Sequence, residues 1–231
     1  MRLRSLTAGL TLLLALTACS GGTSGAAAPA PATPADRLAA AKAAMDRAAS
    51  VHLVLTSRDV PAAADGVLGA DGVGTHAPAF KGRLDARISG VQAAVDVVSV
   101  GSTLYLKLPF TSRFVRTDPK TYQAPDPATL FATDGGISSL LTRTTGPRLG
   151  GRTRSGSTVL QTVTGSLPGR DIAGLLAIGE PADTFGVTYG LTDPGNELRT
   201  VTLTGPFFPG STSTYALTLD RYGDPVEIHQ P

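Results

Sequence analysis

From Val51 onward the chain is a succession of short β-type runs joined by tight turns, and that pattern leaves few folds open. Phe80 to Ser89 alternates cleanly, with Leu84, Ala86 and Ile88 on one face and Arg83, Asp85 and Arg87 on the other. Ser89-Gly90 turns into a run from Gln92 to Val100, and Gly101-Ser102 turns again into Thr103–Leu108. Connections this short cannot cross over a sheet, so successive runs must pair antiparallel. Before them come the β-branched run Val51–Thr56 and a glycine-rich strand candidate at Gly66–Gly74. After them Thr158–Ser166, Thr184–Leu191, Leu198–Thr204, Ser211–Leu219 and Val226–His229 read as further strands. Turns at Asp193-Pro194-Gly195-Asn196 and Tyr222-Gly223-Asp224-Pro225 punctuate that second set.

Helices are few and short. Thr33-Pro34-Ala35-Asp36 has the form of a capping box with proline at the first helical position. Leu38, Ala41, Met45 and Ala48 then repeat at helical spacing, and the alanine-rich run ends near Ser50. Asp126-Pro127 starts a short helix through Phe131, Ile137–Leu141 forms another, and Ile172, Leu175 and Leu176 mark a third within Arg170–Ile178. The class is α+β: one large antiparallel sheet with a few helices. A sheet of about ten strands tends to curl. Its apolar face is too wide for one alanine-rich helix and three stubs to cover. If the curled sheet and the helices on its concave face enclose space rather than a close-packed core, that space must be apolar, and a dry apolar cavity suits alkyl chains.

The amino-terminal residues make a separate unit. Arg2 and Arg4 precede an apolar run from Leu6 to Leu16 that is too short to cross a bilayer. It ends in Leu16-Thr17-Ala18-Cys19, which fits a bacterial lipobox at each position. Residues 1–18 therefore read as a lipoprotein signal peptide and Cys19 as the lipidated first residue of the mature chain. Residues 19–35 read as a Ser/Gly/Ala/Pro tether, and residues 36–231 as a single domain. The expected location is the outer face of the cell membrane, held there through the Cys19 lipid anchor.

As the one cysteine of the chain, Cys19 leaves the domain without an internal disulfide, so the core must hold it together. Once Arg2 and Arg4 are set aside, basic and acidic residues are equal at 18 each. With no tryptophan and few aromatics, nothing supports a nucleic-acid partner. The sequence lacks G-x-S-x-G, S-x-x-K, H-E-x-x-H, P-loop and G-x-G-x-x-G patterns, so no catalytic residue, metal ligand or cofactor is assigned and an enzyme is not expected. His52, His76 and His229 read as structural or solvated, and Asp85, Asp96, Asp183 and Asp220 as the wet side of strands. Arg148–Arg154 carries three arginines among glycines and reads as a solvated hairpin, or as a contact for anionic headgroups.

Several segments in this order resemble the LppX/LprA/LprF/LprG family of actinobacterial lipid-carrier lipoproteins. They are Ala49-Ser50-Val51-His52-Leu53-Val54-Leu55-Thr56, the hairpin ending Gly101-Ser102-Thr103-Leu104-Tyr105, and Asp126-Pro127-Ala128 followed by Asp134-Gly135-Gly136-Ile137-Ser138-Ser139-Leu140-Leu141. Leu217-Thr218-Leu219 with Gly223 and Pro225-Val226 completes the set. The glycine-rich second strand and Arg148–Arg154 depart from the family pattern. The resemblance implies a half-barrel holding multi-acylated lipid or glycolipid cargo, carried between the inner membrane and the outer lipid layer, and an envelope partner for transport. It also places Leu84, Ala86 and Ile88 on the cavity wall. By alternation Leu53, Leu55, Val95, Val97, Leu104 and Leu106 join them, with Leu130, Ile137, Leu140, Leu141, Ile172, Leu175 and Leu176 contributed by the helices. The alternative is a lipoprotein of the same fold with a collapsed cavity, acting as a non-catalytic surface interaction or scaffold module. Small side chains such as Ala86, Val95 and Val97 at inward positions favour the open cavity.

Overall fold

The computed structural model describes residues 32–122 and 124–231; the signal-peptide and lipobox readings, including Cys19, lie outside the described residues. The capping box forms as read. Asp36 donates its amide to Thr33 Oγ1 at 3.1 Å, and the Asp36 carboxylate accepts the Thr33 amide at 2.9 Å. These bonds hold the Asp36 carboxyl below the usual carboxylate range, the Thr33 hydroxyl contributing most. Helix α1 then runs Pro34–Arg47 and buries Leu38, Ala41 and Met45.

The strands are β1 (Ser50–Arg58), β2 (Gly66–Thr75), β3 (Ala79–Ile88), β4 (Val91–Val100), β5 (Thr103–Lys107) and β6 (Val115–Thr117). Two 3₁₀ turns, Pro119–Tyr122 and Pro127–Phe131, lead to α2 (Ile137–Arg143) and β7 (Thr145–Ser155). Then come β8 (Thr158–Pro168), α3 (Gly169–Leu176), β9 (Thr184–Thr192), β10 (Leu198–Gly205) and β11 (Ser213–Asp220). They form one sheet in the order β6-β5-β4-β3-β2-β1-β11-β10-β9-β8-β7, antiparallel at each pairing. Chain order is kept within each half, and β11 returns to β1 to join the halves. Edges β6 and β7 do not pair with each other, so the half-barrel is open.

Two segments differ from the sequence reading. Arg148–Arg154 is part of edge strand β7, whose register slips against β8 between Thr145 and Arg148 and again between Leu149 and Arg152. Glycines within it break the two-residue period that would mark a strand. Val226–His229, read as a strand, pairs with none. Its chain neighbour β11 already has β1 on one side and β10 on the other, which leaves no edge to join. The tail is instead fixed by Gly223, which donates to Ser50 O at 2.8 Å, and by Tyr105 Oη donating to Gln230 Oε1 at 3.0 Å.

Glycines in β2 answer to aromatic rings. Gly74 lies opposite Phe80, and a Cβ on Gly74 would fall inside the ring of Phe131. Phe131 and Phe80 stack with centroids 6.0 Å apart, filling the room that side chains on β2 would need. His76, in the β2–β3 turn, holds this lid down. Its Nδ1 lies 2.5 Å from Phe131 O and its Nε2 2.8 Å from Met45 O, tying the 3₁₀ turn and the end of α1 to the sheet. Replacing His76 by phenylalanine strands the Phe131 carbonyl, at about 1–3 kcal/mol for an unsatisfied buried group, while Met45 O keeps the Ala48 amide. At about 2–4 °C per kcal/mol, a thermal melt of His76→Phe should fall by several degrees.

Candidate functional site

Register fixes which side chains share a face. Opposite residues across antiparallel pairs point the same way. Leu106 opposite Val97, Leu84 opposite Val95 and Ala70, Leu53 opposite Leu219, and Val201 opposite Leu217 and Tyr189 trace one continuous surface across the sheet. The helices lie on this face. Phe131 covers Phe80, while the Tyr189 hydroxyl meets Thr144 Oγ1 of the α2 C-cap at 2.8 Å. From β6 across to β8, the residues that pairing places here include no Asp, Glu, Lys or Arg. Charge sits on the other face: Arg83, Asp85 and Arg87 on β3, Asp96 on β4 and Asp71 on β2.

One part of the helix-bearing face is filled. Leu38, Met45, Phe131, Leu141, Leu167, Ile172, Leu191, Leu198 and Leu219 are fully buried. Phe185, Phe207 and Tyr215 close the β9–β11 side, with Phe207 centred 4.7 Å from each neighbouring ring. Burial lifts the Tyr215 phenol to about 12 and the Tyr189 phenol higher still, as expected for hydroxyls surrounded by hydrocarbon.

The rest is open. Along β1 to β5, moving away from the α1 end, Leu55, Leu84, Ala93 and Leu106 are only half-buried, and Ile88 reaches 38% exposure. Alanines at 70, 86 and 93 keep the floor of this trough low. Two pockets of about 430 and 480 Å³ are also present, but their strand residues lie mainly on the opposite face. The first includes Arg58, Asp85 and Arg87; the second lies near the tail, between Ala79, Val100, Val226 and Ile228. The first has charged walls, which disfavour apolar groups; the second has none, but it lies off the helix-bearing face, beside the tail.

Each of the nine strand residues singled out from the sequence falls on the helix-bearing face: Leu53, Leu55, Leu84, Ala86, Ile88, Val95, Val97, Leu104 and Leu106. Leu53, Val95, Val97 and Leu104 are buried under the helices; Leu55, Leu84, Ala86, Leu106 and Ile88 border the trough. Of the helical residues, Leu130 and Leu176 are half-buried, whereas Ile137, Leu140, Leu141, Ile172 and Leu175 pack into the core. Ala93, Val91 and Leu217 share the face and were passed over, although the alternation that marks Val95 and Val97 extends to the first two. Val115 lies opposite Leu106 on a three-residue strand too short to announce itself.

The histidines serve other ends. His52 sits on the opposite face between two carboxylates, Nδ1 2.6 Å from Asp220 and Nε2 2.9 Å from Asp71. Burial works to raise the Asp220 carboxyl, but His52 and Arg221 together bring it below its ordinary value. Among the described residues, no group of three or more His, Cys, Asp and Glu side chains is placed to hold a metal ion.

A model of the LppX_LprAFG lipoprotein family matches residues 33–228, which is the described domain almost end to end. Among solved structures, LprF from Mycobacterium bovis superposes with a TM-score of 0.73 at 18% identity, covering 86% of this chain and 96% of that one. LppX from Mycobacterium tuberculosis superposes with a TM-score of 0.63 at 18% identity, covering 85% of this chain and 98% of that one. At that identity the two structures establish the shared fold. No curated protein matches the chain.

Proposed function

The chain belongs to the LppX_LprAFG lipoprotein family, and from that premise we propose that it binds multi-acylated lipids or glycolipids on its helix-bearing face and carries them across the cell envelope. The observation that supports this reading most is the absence of charge on the paired residues of that face from β6 to β8, combined with its half-exposed floor. Each methylene removed from water contributes about 0.8 kcal/mol, so two or three acyl chains laid along Leu55, Leu84, Ala86, Ala93 and Leu106 gain more than enough to offset their ordering. A wall of apolar contacts without polar anchors sets chain capacity and leaves the headgroup at the open end. In this reading Cys19 carries the lipid anchor, the protein works on the outer face of the membrane, and an envelope partner receives the cargo. None of the helices among the described residues is long and apolar enough to cross a membrane.

The filled part of the face favours a second reading, a scaffold lipoprotein of the same fold with its cavity collapsed. Native mass spectrometry of the chain from residue 20 onward separates the two. The carrier should show non-covalent adducts with the masses of acylated lipids. Leu84→Trp should remove the adducts while its melting temperature stays within a few degrees of wild type. In a packed core the same ring would cost about 1–3 kcal/mol, whereas at a trough wall it lies against exposed hydrocarbon. A wild-type protein free of adducts when produced in an actinobacterial host would leave the scaffold reading standing. A large fall in melting temperature for Leu84→Trp with adducts intact would remove Leu84 from the site.

A further inference from the structure

At the end of the sheet away from α1, two neighbouring turns expose apolar side chains. Ile88 and Val91 flank the β3–β4 turn at 38% and 67% exposure. The β5–β6 connection exposes Leu108 at 44% and Phe110 completely, and Val115, the first residue of β6, is 63% exposed. Both turns lie at the same end of one half of the sheet; β5 stops opposite Asp96, so the β3–β4 turn projects beyond the β5–β6 connection. Phe110 holds a left-handed backbone conformation, φ 66°, rare for a bulky residue, and its ring stands clear of the fold. Ile88, Val91 and Val115 lie on the helix-bearing face, so the patch is the rim of the trough. Large apolar side chains exposed together at one end of a sheet mark a contact site.

We propose that this rim seats the mouth of the trough in the headgroup region of a phospholipid bilayer. The proposal rests on the carrier reading for its purpose, since acyl chains could then pass between bilayer and trough without crossing water. Three observations choose the bilayer over other occupants. Arg113 and Arg116 are exposed beside the patch and suit anionic headgroups. The nearby Asp65 carboxylate is turned to the backbone, accepting the amides of Ser89 and Gly90 at 2.7 and 3.0 Å. The chain outside the described residues also has the necessary reach. It joins the domain at α1, which Arg37 ties to Asn196 in the β9–β10 turn at 3.1 Å, at the opposite end of the sheet. A ten-residue strand such as β3 spans roughly 33 Å. Residues 20–33 extended cover about 45 Å, so an anchor at one end still lets the other end touch the same bilayer.

The test uses the chain from residue 20 onward, which keeps each described residue and lacks the anchor. It is sedimented with phosphatidylcholine–phosphatidylglycerol vesicles, and cargo adducts are followed separately by native mass spectrometry. Phe110→Ser and Leu108→Ser should each weaken vesicle partitioning by roughly tenfold, the worth of an apolar side chain withdrawn from water. Melting temperature and adducts should stay as in wild type, and Arg148→Glu with Arg154→Glu on β7 should partition as wild type does. Failure of the wild type to bind vesicles, or equal binding by the Phe110→Ser/Leu108→Ser double variant, overturns the proposal. So does binding lost only with the β7 arginines. A wild-type dimer by light scattering that the rim variants dissolve assigns the patch to a second copy and overturns it too. Loss of adducts with vesicle binding intact would sink the carrier reading and leave the membrane contact standing.

Discussion

Gly74→Ala should lower the melting temperature by several degrees, the reverse of what replacing a strand glycine usually does. An added methyl ordinarily stabilises by about 0.4–1 kcal/mol, because it restricts the unfolded chain. Here the methyl would occupy the ring of Phe131, and β2 cannot step aside, since Gly74 is paired with Val51 of β1 and Phe80 of β3. The ring cannot step aside easily either: Phe131 is buried to 1% exposure and its carbonyl is held by His76. Overpacking of this kind costs about 1–3 kcal/mol, so the collision outweighs the entropic gain. The decisive measurement is a double-mutant cycle. Phe131→Ala alone should cost about 3–5 kcal/mol, yet in that background Gly74→Ala should be neutral or stabilising. If the two losses simply add, the ring does not claim the space above Gly74 and the account of the glycine-rich strand fails.

That same contact shows what was legible in the sequence and what was not. The alternation of Leu84, Ala86 and Ile88 against Arg83, Asp85 and Arg87 is a local property, and with the two-residue turn Ser89-Gly90 after it, it determines both face and register. The nine strand residues picked from it consequently fall on one surface. The glycines of β2 read as a weak strand because their purpose is non-local: the volume they leave is taken by Phe131, far along the chain. Edge strand β7 escaped because its register slips near Gly150-Gly151 erase the alternation that would reveal it. Val226–His229 has the composition of a strand, but strand formation needs a free edge, and β11, the strand before it, offers none. The extent of filling on the helix-bearing face was equally out of reach. Whether Leu141, Ile172 and Leu219 pack or leave space is a matter of side-chain volumes from elements brought together only by the fold. Helices contributed to the core where lining residues were expected, and the open part of the face lies where they end.

If Cys19 carries the proposed lipid anchor, Cys19→Ala should leave the protein either released or retained as a full-length precursor, with palmitate labelling abolished. Leu16-Thr17-Ala18-Cys19 offers the one thiol in the chain, so no second cysteine can take over acylation. A single acyl chain binds a bilayer only marginally, whereas two or more, at about 0.8 kcal/mol per buried methylene, make attachment stable. Removing the thiol therefore removes the dominant membrane affinity at once. The rim at Phe110 and Leu108 would remain and, lacking an acyl chain, should release protein into the soluble fraction on washing. Fractionation with and without such a wash separates the two contributions. The size of the retained protein tells whether processing after Ala18 required the acylated thiol. A variant that stays in the detergent phase with labelling unchanged would show that the lipid is carried elsewhere, and the reading of residues 16–19 as a lipobox would fall.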